Sequence, residues 1–374
     1  VWLGFHLSKT WRQSPPHNSK EQQRKYMPIE QHAEEIKAEL RKQNSIKVKV
    51  ALFGQPGAGK SSLINAILGK DLAKVGVETD ITTSAEEYQH NGLVFVDLPG
   101  YGTEKFPKDT YFDKFDILGY DLLLCVTSGK LHQSDTEFFK RITSDKKICI
   151  FVVNKCESIK QKGVEQNVLF LEKEKDIKNN IQKNDIDVVF TDCYENIGID
   201  ELNTLIFKNL EPVKKERWAR GAKAYSEEFL LKKRNACEKY VTTAALLAAA
   251  NGINPIPGAD VAVDVGIIVK LFSEIRQSYG LSDEELSTLK HSAIPIVGRL
   301  ANNIVQYAAQ EGVFLLLKSM VGRVAVKSFA KYIPFIGQAV AATVGYKITS
   351  SVGNSYLSDC HDLAMKILER KLKS

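Results

Sequence analysis

The sequence predicts an α/β fold with a mainly parallel sheet, joined to an all-α region built from an N-terminal helix and the C-terminal helices. Three observations carry this. β-Branched apolar runs alternate with helical patterns between residues 46 and 210, and strands separated by helices pair in parallel with helices on both faces. A glycine-rich loop lies between the first run and the first helical pattern. After Val213 the strand pattern stops and only helical periodicity remains. With 374 residues, 44% hydrophobic and 26% charged, the chain is long enough for two or three domains of ordinary globular composition.

The elements follow in order. Residues 1–27 are polar and irregular, with Pro15-Pro16, and read as a mobile N-terminus. Ile29, Ala33, Ile36 and Leu40 then recur at spacings of 4, 3 and 4, one stripe of a helix ending near Asn44-Ser45. Strands are predicted in IKVKVALF (46–53), GLVFVDLPG (92–100), DLLLCVT (121–127), KICIFVV (147–153) and IDVVF (186–190), with helices near 60–69, 134–143, 163–182 and 200–210. Beyond them a long helix breaks at NGINPIPGAD (251–260), where two Pro and two Gly end it. Helices follow at 261–279, at 283–291 behind a capping box of Ser282 and Glu285, and at 311–332, 335–349 and 355–372. The predicted division is 1–45, packing with the helical domain, 46–212 as the α/β domain, and 213–374 as the C-terminal helical domain.

Composition excludes several classes. The six Cys show no Cys-x-x-Cys and no zinc spacing, so they read as reduced thiols. The seven His show no His-Glu-x-x-His, which argues against a metal site built by protein alone. Apolar stretches are interrupted by Asp260, Asp264, Lys270, Lys318, Arg323 and Lys347, so no transmembrane helix is expected. Residues 1–27 lack an apolar signal core and no Met-Gly start is visible, which predicts a cytoplasmic chain, not secreted, with peripheral membrane contact left open. Residues 213–374 hold 22 Lys/Arg against 14 Asp/Glu, a surplus of 8 that leaves −2 for the rest. Such a half suits an anionic surface, membrane or nucleic acid, and equally suits plain solubility. Lys318, Arg323, Lys327 and Lys331 make nearly one basic face on the 311–332 helix, fit to lie on an anionic bilayer or to face water. No Gly-x-x-Gly clamp with basic flanks and no aromatic RNA-binding repeat is present, so nucleic acid is not the expected partner.

The chemistry concentrates in three places. GQPGAGKSS spans Gly54, Gln55, Pro56, Gly57, Ala58, Gly59, Lys60, Ser61 and Ser62, directly after a strand and opening a helix. Backbone N–H groups of such a loop curl round phosphates, Lys60 reaches the β- and γ-phosphates, and the Ser61 hydroxyl takes a Mg2+ position. DLPG puts Asp97 at a strand end, to hold Mg2+ through water, and Gly100 where its N–H would face a γ-phosphate. Between them VGVETDITTSAEEY (75–88) is the loop that would place a Thr on Mg2+: Thr82, with Thr83 and Thr79 as alternates. The metal set is then Ser61, Thr82 and Asp97, and the groups acting on the reacting phosphate are Lys60, Thr82 and Gly100. At the base end, VNKCES puts Asn154 as a loop buttress, Lys155 along a purine face and Glu157 as the carboxylate accepting from guanine N1–H and its amino group. FTDCYENIGIDEL then places Thr191, Asp192 and Cys193 near guanine O6.

In this order the motifs resemble a GTPase of the translation-factor-related class over residues 46–212. INPIPGADVAVDVGIIVKLFSEIRQSYGL and YIPFIGQAVAATVGYKITSSVGNSYLSDC resemble the helical region of the immunity-related GTPases, the interferon-inducible p47-type family, and related bacterial GTPases. The resemblance spans roughly residues 30–374. It implies bound GTP or GDP with Mg2+, slow hydrolysis activated by pairing of G domains as a homodimer or oligomer, and association with membranes. It also implies that the N-terminal helix packs with the C-terminal helices. Members usually carry Thr-Lys-x-Asp where this chain has Asn-Lys-Cys-Glu.

Two positions bear on turnover. Tyr101 stands where Ras-type enzymes carry the Gln that orients water, so the catalytic group must come from a partner, a backbone group or the substrate, with Glu104 a candidate aide. Gly57 stands where K+-dependent relatives carry Asn, so K+ dependence is not expected. Two other readings stay open: a ribosome- or RNA-associated GTPase, and a nucleotide-locked scaffold with negligible turnover.

Overall fold

The structure, a computed structural model, describes residues 45–73, 85–129, 131–251, 260–309, 311–313, 315–316 and 337–371, with Glu35, Ala38 and Lys42. The Ile29, Ala33, Ile36 and Leu40 stripe, the Thr79, Thr82 and Thr83 loop, and the basic face of Lys318, Arg323, Lys327 and Lys331 lie outside the described residues.

Strands β1 (Val48–Phe53), β2 (Glu86–His90), β3 (Leu93–Asp97), β4 (Leu122–Thr127), β5 (Cys149–Asn154) and β6 (Val188–Thr191) form one sheet in the order β2-β3-β1-β4-β5-β6. All pairings are parallel except β2 with β3. β1 shows why both faces are covered. Val48, Val50 and Leu52 enter one core and Ala51 and Phe53 the other, the period of a strand buried on both sides. Helices α1 (Lys60–Leu68), α5 (Ile199–Asn209) and α6 (Pro212–Gly221) pack on the first face through Leu63, Ile206 and Trp218. Helices α2 (Lys108–Lys114), α3 (Gln133–Ser144) and α4 (Gln166–Ile181) pack on the second through Tyr111, Phe138 and Ile177. Trp218 and Phe229, both beyond residue 212, belong to the sheet's core, and Trp218 Nε1 donates to the Asn203 carbonyl at 3.1 Å.

A third core joins α7 (Glu227–Asn251), α8 (Asp260–Ser278), α9 (Asp283–Lys290), α10 (Pro295–Gln306) and α11 (Gly337–Lys371). Ser282 caps α9 with the reciprocal Glu285 bond that the sequence predicts. The two helices expected at 335–349 and 355–372 are one continuous helix, a correction with a packing cause. Gly353 does not break it. A Cβ there would meet Val241 Cγ1 at 2.7 Å and Leu271 Cδ2 at 3.0 Å, so glycine lets α11 close onto α7 and α8. Phe272 and Tyr356 stack across this contact with ring centroids 3.9 Å apart. None of the six cysteines forms a disulfide. Among the described residues no helix is long and apolar enough to cross a membrane.

Candidate nucleotide-binding site

β1 runs into the loop Gly54–Gly59, and α1 starts at Lys60. Glycine is required twice. Gly54 has φ 138°, and a Cβ there would meet the Val126 carbonyl oxygen at 2.0 Å. Gly59 has φ 90°, and a Cβ there would meet Asn154 Nδ2 at 2.2 Å. The first lets the loop cross β4, and the second lets the base-side loop close on it. The first turn of α1 carries Lys60, Ser61 and Ser62, whose backbone N–H groups lack intrahelical acceptors and add the positive end of the helix dipole.

Lys60 is buried and donates to the Gly54 carbonyl at 3.0 Å, holding the loop's curl. Its ammonium stands 3.6 Å from Asp97 Oδ1, an ion pair too long for a hydrogen bond. That oxygen is buried and has no hydrogen-bond partner among the described residues. Burial pushes Asp97 up to about 6, against the pull of the Lys60 charge. A buried carboxylate oxygen left without a donor, beside a hydroxyl-bearing helix turn, fits Mg2+ chemistry: Ser61 and Asp97 supply hard oxygen ligands. Thr82, the third expected ligand, lies outside the described residues.

Gly100 lies in the exposed loop after β3, where its carbonyl accepts from Thr103 Oγ1 at 3.3 Å. Tyr101 turns the other way. Its ring packs 4.6 Å from Phe138 and 5.2 Å from Tyr111, within the second core. Glu104 is exposed. One tie escaped sequence reasoning. Gln55 Nε2 donates to Asp135 Oδ2 at 2.9 Å, pinning the loop to the first turn of α3. Asp135 is buried, and burial raises its pKa. In sequence it reads only as an acid favouring a helix N-terminus.

The base end is built around Asn154, 2% exposed at the end of β5. Its Nδ2 donates to the Ala58 carbonyl at 3.0 Å. Its Oδ1 accepts from the Thr191 hydroxyl at 3.1 Å and the Cys193 thiol at 3.3 Å. Burial pushes that thiol up to about 12, so it stays protonated and donates. Lys155 takes a left-handed φ of 57° and lays its Nζ on the Gly57 carbonyl at 2.8 Å. Glu157 sits exposed in the short turn Cys156–Ser158, whose Cys156 is buried. Asp192 Oδ1 accepts from the backbone N–H of Tyr194 at 2.9 Å and Glu195 at 3.1 Å, fixing the turn that follows β6. Gln55, Gly57, Ala58, Gly59, Asn154, Lys155, Thr191 and Cys193 are thus one bonded assembly, with Lys60 and Asp97 at its phosphate end. Pro56 is exposed in the same loop.

A family model described as Interferon-inducible GTPase (IIGP) matches residues 20–311. The chain is 25% identical over 382 residues to Interferon-inducible GTPase 5 of Bos taurus, covering 92% of this chain and 80% of that one. It is 23% identical over 370 residues to Interferon-gamma-inducible GTPase 10 of Mus musculus, covering 90% and 84%. Among solved structures, the FeoB G-domain from Methanococcus jannaschii aligns with a TM-score of 0.32 and 24% identity, over 45% of this chain and 99% of that one. The match spans the phosphate loop, the base loop and most of the helical region, and the chain belongs to the interferon-inducible GTPase family: it is a GTPase.

Proposed function

We propose that the chain is a slow, nucleotide-switched GTPase that binds GTP or GDP with Mg2+, pairs through its G domain, and works at an anionic membrane surface from the cytoplasm. The observation that carries the nucleotide part is Asn154, which ties the Ala58 carbonyl of the phosphate loop to Thr191 and Cys193 of the base loop. Phosphate cradle and base contact are then a single rigid unit, as recognition of a whole nucleotide requires.

In this reading the Gly54–Gly59 backbone and the α1 terminus hold the phosphates. Lys60 leaves its loop carbonyls for the β- and γ-phosphate oxygens, where it offsets charge in the transition state. Ser61 and Asp97 hold Mg2+, with Thr82 as the proposed third ligand; when bound, the metal neutralises charge on the phosphate oxygens. Gly100 offers its N–H to the γ-phosphate. Glu157 reads guanine, its exposed carboxylate one methylene further out than an Asp would be. The region 46–212 is proposed as the G domain, with the helices of 213–374 and the N-terminal segment as its companion.

Slow turnover follows from Tyr101. A ring packed against Phe138 and Tyr111 positions no water at the γ-phosphate. The missing group then comes from a second copy, or turnover is negligible and the chain acts as a nucleotide-locked scaffold. Multiple-turnover phosphate release across a range of protein concentrations separates the two. A rate per molecule that rises with concentration supports pairing, and a flat rate near zero supports the scaffold. A flat but fast rate defeats both.

A further inference from the structure

The peptide between Pro99 and Gly100 has its two ends in different surroundings: Pro99 is buried and Gly100 is exposed. The Pro99 carbonyl accepts from the Tyr111 hydroxyl at 2.5 Å, and because a carbonyl carries no proton the phenol is the donor. Tyr111, on α2, is fully buried. Its ring is caged by Tyr101, Phe115 and Phe138, with centroids 5.2, 4.7 and 5.3 Å away. The cage gives the phenol one place, and the carbonyl is held there with it.

A trans peptide is planar and points its C=O and N–H in opposite directions. No peptide among the described residues is cis. With the Pro99 carbonyl on the Tyr111 hydroxyl, the Gly100 N–H is turned out of the second core. Among the described residues nothing accepts from it. The chain on either side is anchored too. The Leu98 N–H donates to the Leu52 carbonyl at 2.9 Å, which keeps the loop beside the end of β1, and Tyr101 buries its ring against Tyr111 and Phe138. Gly100 is therefore an exposed residue between two buried ones. It follows the strand end that carries Asp97, whose Oδ1 lies 3.6 Å from the Lys60 ammonium.

We propose that Tyr111 is a positioning residue for the γ-phosphate: its hydroxyl holds the Pro99 carbonyl so that the Gly100 N–H is presented to a γ-phosphate oxygen, and the chain thereby tells GTP from GDP. This rests on the nucleotide reading of the site. Tyr111 acts through the peptide and needs no contact with the nucleotide. A flipped peptide would turn a carbonyl oxygen towards an anion and take away the phenol's acceptor, so the bond favours the orientation that binds. The two halves of the peptide also reinforce each other. An N–H that donates to phosphate makes the carbonyl of the same peptide a better acceptor, so γ-phosphate and the Tyr111 hydroxyl tighten together. GDP has no γ-phosphate and draws no such gain.

The test is titration of fluorescent GDP and of a fluorescent imido analogue of GTP, each with Mg2+, into the full chain and its Tyr111→Phe variant, which keeps the ring and loses only the hydroxyl. The inference expects the Kd for the analogue to rise about ten-fold in the variant while the Kd for GDP stays within about two-fold. A purely structural role would weaken both alike. A second measurement needs no substitution and decides the matter where the variant folds poorly. With the hydroxyl-bearing ring carbon of tyrosine isotope-labelled, the Tyr111 resonance of the parent chain should move when the analogue replaces GDP. A parent chain that binds neither nucleotide defeats the nucleotide reading, and this inference with it. A parent that binds both, with equal losses or no loss in Tyr111→Phe, or with an unmoved Tyr111 resonance, overturns the inference alone.

Discussion

Replacing Asn154 by Ala should cost the protein its nucleotide before it costs the fold. The side chain is 2% exposed and makes four hydrogen bonds, so its loss strands the Ala58 carbonyl and the Thr191 hydroxyl, both on fully buried residues. Each stranded buried group costs about 1–3 kcal/mol, or about 2–6 kcal/mol for the pair. In the free variant the two loops can part and rehydrate. Bound nucleotide forces them back together, so the cost falls on affinity. At 1.4 kcal/mol per ten-fold, the Kd for GDP should rise at least about 30-fold. Asn154→Thr is the discriminating control. Its hydroxyl donates once and accepts once, so it can hold the Ala58 carbonyl and take the Thr191 proton, and its loss should stay under about ten-fold. Asn154→Asp turns the donor into a carboxylate facing the Ala58 carbonyl and should be at least as damaging as Ala. Fluorescent-GDP titration measures all three, with circular dichroism to establish that each is folded. A Kd for Asn154→Ala within about three-fold of the parent, matched by Asn154→Asp, would refute the shared-amide argument.

Three further outcomes follow from the geometry. Asp97 has its folded pKa raised to about 6, so its ionised form is a cost to the fold that is absent below about 4, the unfolded value, and complete above about 6. Mg2+ needs that ionised form, so Mg2+-dependent tightening of GDP binding should weaken about ten-fold per unit as pH falls below about 6; a pH-flat Mg2+ titration between 5 and 8 contradicts it. Lys233→Met removes the ammonium that joins the ends of α6 and α8, and should lower stability in urea by about 2–4 kcal/mol, an expectation that an unmoved midpoint would sink. Gly353→Ala pushes a methyl into Val241 and Leu271, and should cost about 1–3 kcal/mol in thermal unfolding while GDP affinity in the folded protein stays unchanged.

What the sequence discloses, and what it withholds, divides along physical lines. Strands β1, β3, β4, β5 and β6 are legible because burial on both faces demands apolar β-branched runs. β2 is withheld because it is an edge strand, and EEYQH carries the charges that keep an edge from pairing further. α10 is absent from the helices that the sequence predicts; it opens on Pro295, and proline at the first helical position costs no hydrogen bond. Gly353 misleads in the opposite direction, marking a close helix contact where spacing suggests an end. The site behaves in the same way. Lys60, Asp97 and Asn154 stand out because each sits where a strand meets its loop, a relation that local sequence encodes. Their partners do not stand out. Asn154 meets a carbonyl 96 residues away and a hydroxyl 37 residues away, and Gln55 meets an acid 80 residues away. Such pairings are set by strand order, in which β5 lies two places from β1 and one from β6. The sheet's topology, and not any motif, therefore makes Asn154 the common support of the Gly54–Gly59 loop and the loop after β6, and this is why one amide is expected to carry so much of the proposed nucleotide affinity.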